Sequence, residues 1–449
     1  MKNVSRRSFI KSSAAVSAGV LIIPGLVSLS PNNRMNIAVI GVGGRGKANW
    51  GSVPQENIVA MCDVDSKRAA QGFSECPKAK KYKDFRVMFD EMANEIDAVI
   101  ISTPDHTHFA ATMIAMELGK HVYVEKPLAH NIWQLRTMRK AAKHYNIISQ
   151  MGNQGHTTNG IRLIKEWYDA GVLGQVKEVY AWHGKFNFQP GGYWTKPKSF
   201  PPPVHDVPEN IDWNLWLGPA AYRPFNSAYA PKSWRGFYDF GNGQLGDWSC
   251  HTLDAPFWAL DLGNPHTVEG KIPNPTDLGF IANESNVTYQ FGARGDKAPV
   301  TLNWFDGGEK PKIRPEWGID ELANSGMLMI GEKNTLMTGG RPNNPRLLMP
   351  EEEWQDFLKN APEKTIPRIG EEKPVEEWVD AIKNNTLPGS NFDYATRLTE
   401  MALIGVLAQR FGAKLEYDEK NLKITNRPDL DDYIKEPVRK GWSYGENLW

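Results

Sequence analysis

Three cysteines in 449 residues, Cys62, Cys76 and Cys250, leave this chain without a disulfide framework or a zinc-binding spacing. An excess of charge is missing too: 52 basic residues stand against 52 acidic ones. A nucleic-acid partner would show as a basic excess or patch, so none is expected. There is no internal repeat and no low-complexity linker. Tryptophan is plentiful, with sixteen in all. The length suits two or three domains with full cores.

The first residues read as an address. Ser5-Arg6-Arg7-Ser8-Phe9-Ile10-Lys11 is a twin-arginine pattern, followed by an apolar stretch from about Ala14 to Leu29. That stretch is short for a membrane span and has signal-peptide flanks. Residues 1–33 are therefore expected to be a twin-arginine signal segment, with the Tat export machinery as partner. The protein would be periplasmic, or membrane-tethered and facing the periplasm. No clear A-x-A cleavage site marks where processing would occur.

Beyond it, Ile37 to Ile40 is an apolar, β-branched run of the kind buried on both faces of a sheet. Gly41, Gly43 and Gly46 follow in a G-x-G-x-x-G spacing, with Gly44 and Arg45 between. The first glycine permits a tight turn, the second lets a pyrophosphate approach the backbone, and the third lets the next helix pack closely. The helix N-terminus then offers free N–H groups to the phosphates. A second apolar strand, 57–62, ends in Asp63, placed to accept hydrogen bonds from an adenosine ribose. An acid there repels a 2′-phosphate, which favours NAD. Lys67 and Arg68 close by keep NADP open.

Strands and helices alternate to about residue 155: helices near 66–73, 87–93, 109–118 and 131–144, strands near 96–102, 121–124 and 147–150. That rhythm predicts a Rossmann, doubly wound parallel sheet over residues 34–155. The pattern then changes. A helix over 160–170 and a long strand over 175–187 lead into an irregular, aromatic segment at 188–235. Strands at 285–291, 300–305, 326–331 and 335–338 read as antiparallel, and helices return at 375–383 and 393–411. Residues 156–449 are thus expected to form an α/β domain with a large, mostly antiparallel open sheet.

Four motifs in this order, Gly41-x-Gly43-x-x-Gly46, Thr103-Pro104-Asp105-x-x-His108, Glu125-Lys126-Pro127 and Asp247-x-x-x-His251, resemble the Gfo/Idh/MocA family. These are glucose–fructose oxidoreductase-like and inositol dehydrogenase-like enzymes. Arg439-Lys440-Gly441-Trp442 resembles the family's exported bacterial members. The resemblance implies a C-terminal domain that binds substrate and forms dimers or tetramers. It also implies NAD or NADP as cofactor and an active site at the nicotinamide, between the domains. Lys126 matches the family's catalytic lysine, and Asp247 and His251 its Asp-x-x-x-His pair. Thr103, Pro104, His108, Glu125 and Lys126 would stand near the cofactor.

Oxidation of a sugar hydroxyl needs a base near neutral pKa and a group that stabilises the developing alkoxide. Histidine suits the first task, which assigns His251 as general acid/base. Lys126 would stabilise the reacting oxygen. Asp247 would orient either of them. Asn153 and His156 follow a strand end and are substrate-binding candidates, as are His183, Tyr193 and Asp254. Seven tryptophans fall between Trp182 and Trp258, and two or three of them are expected on the substrate. His106-x-His108 invites a metal, but no third ligand of matching spacing accompanies it, so no metal is expected.

An exported dinucleotide enzyme finds little free NAD to exchange, so the cofactor should be tightly bound and the redox cycle self-contained. The leading expectation is a sugar or glycoside oxidoreductase. The alternatives are an NAD-dependent glycoside hydrolase, working by transient oxidation, elimination, water addition and re-reduction, and a non-catalytic dinucleotide or sugar sensor.

Overall fold

The computed structural model describes residues 34–272 and 279–449. The expected signal segment, 1–33, lies outside them. Among the described residues no helix is long and apolar enough to cross a membrane.

Six strands make the first sheet: β1 (Asn36–Ile40), β2 (Asn57–Cys62), β3 (Lys80–Tyr82), β4 (Ala98–Ile101), β5 (His121–Glu125) and β6 (Ser149–Gly152). All pairings are parallel, in the order β3-β2-β1-β4-β5-β6. The apolar runs are buried on both faces, as a sheet with helices on each side requires. Ala38, Ile40, Val99 and Ile101 face one core; Ile37, Val39, Ala98 and Ile100 face the other. β3 escaped sequence reading because Lys80 and Lys81 are exposed and carry no apolar signal. The strand order reverses between β1 and β4, and ligands of such sheets bind at the carboxyl ends there.

One face of this sheet is completed from far along the chain. Helix Pro374–Asn384 packs Val375, Trp378 and Ile382 against Ile100, Tyr123 and Ile148. The Trp378 indole donates to the Ile148 carbonyl at 3.2 Å. A domain boundary drawn at residue 155 is therefore a boundary in sequence but not in space.

The second sheet has nine strands: β7 (Val176–Trp182), β8 (Thr267–Lys271), β9 (Ser285–Phe291), β10 (Val300–Asp306), β11 (Gly326–Gly331), β12 (Thr335–Gly339), β13 (Arg346–Leu347), β14 (Lys414–Asp418) and β15 (Lys423–Ile424). Their order is β13-β12-β11-β7-β10-β9-β8-β14-β15. Only β7 and β10 pair in parallel. β9 and β10 alternate buried and half-buried residues strictly. Val287, Tyr289, Leu302 and Trp304 point to the core, where helix Phe392–Phe411 covers them. Thr288 and Asn303 pair on the opposite face at 2.8 Å. β7 stops at Trp182, short of the expected residue 187, because the chain leaves the sheet there and carries His183 to the cleft.

Candidate active site

The glycine turn forms as its spacing demands. Gly41 has φ +84°, a region open to glycine, and its N–H donates to the Cys62 carbonyl at 2.9 Å. A Cβ on Gly43 would lie 2.6 Å from the Arg68 carbonyl oxygen, and one on Gly46 only 1.8 Å from that of Gly41. The Asp63 carboxylate accepts from the N–H groups of Val42 (2.8 Å) and Asp65 (3.0 Å). It thereby fixes the end of β2 to the turn after β1. Burial pushes the Asp63 carboxyl up from its usual range, and the backbone N–H groups act against this.

A cavity of about 680 Å³ runs from this turn to the second domain. Gly41, Gly43, Gly44, Arg45, Asp63 and Arg68 line one end. Thr103 and Pro104, after β4, and Glu125, at the end of β5, form the floor. Glu125 Oε1 accepts from Asn49 Nδ2 at 2.9 Å and Arg45 Nε at 3.1 Å.

Lys126, Asp247 and His251 line the other end. Helix Gly243–Thr252 puts Asp247 and His251 four residues apart, on one face. Lys126 Nζ donates to Asp247 Oδ1 at 2.6 Å and to the Asp247 carbonyl at 2.7 Å. The Tyr193 hydroxyl donates to Oδ2 at 2.6 Å, and Arg235 Nε to Oδ1 at 3.3 Å. The Arg235 guanidinium lies against the rings of Trp234 (4.1 Å) and Tyr193 (4.3 Å). Burial alone would raise the Asp247 pKa, but Lys126 and Arg235 outweigh it and hold the carboxyl well below the usual range.

His251 is 2% exposed. Burial, then the charges of Lys126 and Arg341, push its pKa well below the ordinary imidazole value. The ring is neutral at pH 7, with Nδ1 lacking any partner among the described residues. A neutral ring can take a proton, and a fixed ammonium beside it can stabilise the oxygen left behind. His183 stacks on Trp248 at 3.9 Å, meets Ser325 Oγ at 2.7 Å, and is pushed down to about 4, chiefly by burial.

The remaining expected site residues stand behind the cavity wall. Gly46 packs the helix against the turn. His108 bridges the Pro127 carbonyl (2.9 Å) and the Thr103 carbonyl (2.7 Å), tying two loops of the floor together. His106 faces the carbonyls of Phe240 and Trp216. The substrate-binding expectation for Asn153, His156 and Asp254 needs correction. Asp254 begins the next helix and is fully buried. It accepts from Asn153 Nδ2 at 2.9 Å and from the Tyr394 hydroxyl at 2.5 Å, and it contacts His156 Nδ1 at 3.0 Å. These residues bond to one another and do not line the cavity, and Asn153 Oδ1 is buried without a partner among the described residues.

Sequence reading missed Gln154, Arg235 and Arg341, all in the wall. Gln154 adjoins the flagged Asn153. Arg235 and Arg341 sit in irregular stretches that no motif marks. Four of the seven tryptophans, Trp194, Trp216, Trp234 and Trp248, also line the cavity.

The buried His156–Asp254 pair predicts a pH dependence. Burial lowers the His156 pKa, but the charge and hydrogen bond of Asp254 more than offset this, and Glu377 adds to them, so the net shift is upward. A raised folded-state pKa gives stability that is full below the unfolded value near 6.5 and is lost as pH rises through the folded one. Denaturant unfolding should therefore show stability declining above neutrality, and His156→Gln should flatten that decline.

The sequence profile of an oxidoreductase family with an NAD-binding Rossmann fold, Gfo/Idh/MocA, matches residues 35–153. The profile of that family's C-terminal α/β domain matches 157–293. The chain belongs to the Gfo/Idh/MocA oxidoreductases. Its first domain is accordingly an NAD-binding one, and the glycine cradle just described fits a dinucleotide.

Among the chain's relatives, a glycosyl hydrolase family 109 protein of Solibacter usitatus is 31% identical over 255 residues, 49% of this chain and 56% of its own. A levoglucosan dehydrogenase of Pseudarthrobacter phenanthrenivorans is 27% identical over 155 residues, 32% of this chain and 39% of its own. The chain thus spans about half or less of these curated relatives. The WlbA dehydrogenase of Bordetella pertussis, solved with NADH and UDP-GlcNAcA, superposes with a TM-score of 0.59 at 15% identity, over 86% of this chain and 99% of its own. At that identity the likeness is one of fold.

Proposed function

We propose that this Gfo/Idh/MocA protein is a sugar or glycoside oxidoreductase that uses NAD held across the glycine turn. His251 takes the proton from the substrate hydroxyl at its ring nitrogen. Lys126 stabilises the oxygen as negative charge develops, and Asp247 holds Lys126 in place. The nicotinamide, when bound, supplies the hydride acceptor. The observation that carries this reading is a buried His251 with an unpartnered Nδ1 and the Asp247-held Lys126 at the end of a cavity whose other end is the glycine turn.

A redox-neutral glycosidase is the second reading. It is favoured by His183, a second neutral imidazole in the same wall, and by the family 109 glycosyl hydrolase among the relatives. We further infer a tightly bound cofactor and export by the twin-arginine route. Self-association would use the far side of the second sheet, where Tyr180, Phe305, Ile330 and Met337 pack under Trp317 and Leu322 of the same chain.

The deciding experiment uses the purified protein with its bound nucleotide, offered free sugars and nitrophenyl glycosides. Reduced-nicotinamide absorbance on adding free sugar, without cleavage, is the expected result. Nitrophenol release with no net reduction would instead establish the glycosidase.

A further inference from the structure

The catalytic end of the cavity carries more positive charge than its own carboxylates balance. Lys126, Lys232, Arg235 and Arg341 line it, against Asp247 and the buried Asp105, which lies near Arg235. Asp247 is already met by Lys126 and Arg235. Arg341 is placed differently. Its ion pair is with Glu372, at 2.7 Å from Nη1, and Glu372 is not part of the cavity wall. Its Nε is buried and has no hydrogen-bond partner among the described residues. His251 Nδ1 is in the same condition on the same wall, and Arg341 is close enough to depress the His251 pKa.

The turn that carries Arg341 is fixed in place. Thr252 Oγ1 donates to the Gly340 carbonyl at 2.7 Å, and Thr338 Oγ1 to the Asn343 carbonyl at 2.7 Å. Thr252 is the last residue of the catalytic helix itself, and Thr338 stands on β12. The backbone at Arg341 is thus tied to the site, and its side chain is 34% exposed.

A buried guanidinium N–H left without an acceptor forgoes a charge-assisted hydrogen bond, among the stronger interactions a ligand can supply. A guanidinium edge matches the two-oxygen face of an oxyanion better than a single hydroxyl. We propose that the substrate is an acidic sugar, bearing a carboxylate or sulfate oxyanion that the Nε edge of Arg341 binds beside His251. This rests on the reading of the cavity as a sugar site and adds the substrate's charge to it. Lys232 would contribute to the same positive field at the mouth.

The test compares matched nitrophenyl glycosides, in both anomers, on the NAD-loaded protein: glucuronide, glucoside 6-sulfate and neutral glucoside. Nitrophenol release and nicotinamide absorbance are both followed. One acidic sugar should exceed the neutral one in kcat/KM by roughly ten- to hundredfold. Which acid wins identifies the oxyanion as carboxylate or sulfate. Arg341→Gln should collapse that ratio towards unity, chiefly through KM, while Arg341→Lys keeps part of it. Glu372→Gln should preserve it. Equal or better use of the neutral sugar would overturn the proposal, and so would a preference that survives Arg341→Gln. Loss of the preference in Glu372→Gln as well would make Arg341 a structural tie and reject it. If no glycoside turns over, reduced-nicotinamide absorbance with free sugars still decides the oxidoreductase reading, separately from the charge question. Calorimetric binding of glucuronate and glucose 6-sulfate against glucose then decides the charge question by the same ratio.

Discussion

Lys126→Met should lower kcat for the sugar about a thousandfold, with a much smaller change in KM. The reason is where the ammonium acts. Nζ is fixed by two bonds to Asp247, at 2.6 and 2.7 Å, before any substrate arrives. A preorganised cation costs no reorganisation when negative charge appears on the reacting oxygen, and losing one such donor typically costs 10²–10³ in rate. Met keeps the length of the side chain, so packing changes little.

A second consequence separates electrostatics from catalysis. Without Lys126, the buried Asp247 carboxylate keeps only Arg235 and the Tyr193 hydroxyl. Breaking a buried pair costs up to about 3–5 kcal/mol, and these remaining partners should hold the loss below that range. Asp247→Asn added to Lys126→Met should therefore recover stability in denaturant unfolding without recovering turnover. Recovery of both would mean that Lys126 serves only to neutralise Asp247. An unchanged kcat in Lys126→Met alone would remove the catalytic assignment altogether.

What the sequence disclosed, and what it withheld, follows from how each signal arises. β1 was legible because Ile37 to Ile40 is buried on both faces, which forces a continuous apolar run. β9 was legible to the residue, Ser285–Phe291, because one buried face forces alternation. Asp247 and His251 were legible as a pair because a helix brings residues four apart together. Helix Pro374–Asn384 was legible as a helix. Its place on the first sheet was not, since an amphipathic face does not name its partner. Asn153, His156 and Asp254 show the opposite failure. They follow the strand end and helix that line the cleft, yet turn into the wall and bond to one another there. Proximity in sequence to a site says nothing about which way a side chain turns. Arg235 and Arg341 were invisible because their roles come from contacts distant in sequence, with Asp247 for one and Glu372 for the other.

Gly46→Ala should be severely damaging, since no other described glycine would bring a Cβ closer to a backbone atom. It adds a Cβ 1.8 Å from the Gly41 carbonyl oxygen and 2.9 Å from its carbon, both backbone atoms that no rotamer can move aside. The helix Arg45–Gly51 must shift away from β1, or the turn must open. Either movement displaces the helix N-terminus from the phosphates it would hold. NAD affinity should fall about a hundredfold, close to 2.7 kcal/mol. Overpacking should cost a further 1–3 kcal/mol of stability, roughly. The control lies five residues along the same helix. A Cβ on Gly51 meets nothing within 4 Å, so Gly51→Ala should stabilise the helix by about 0.5–1 kcal/mol. Calorimetric NAD titration and denaturant unfolding of the two variants measure both effects. If Gly46→Ala bound NAD as the parent does, the close approach of helix to turn would not be what shapes the cofactor cradle. The third glycine would then owe its place to something other than packing.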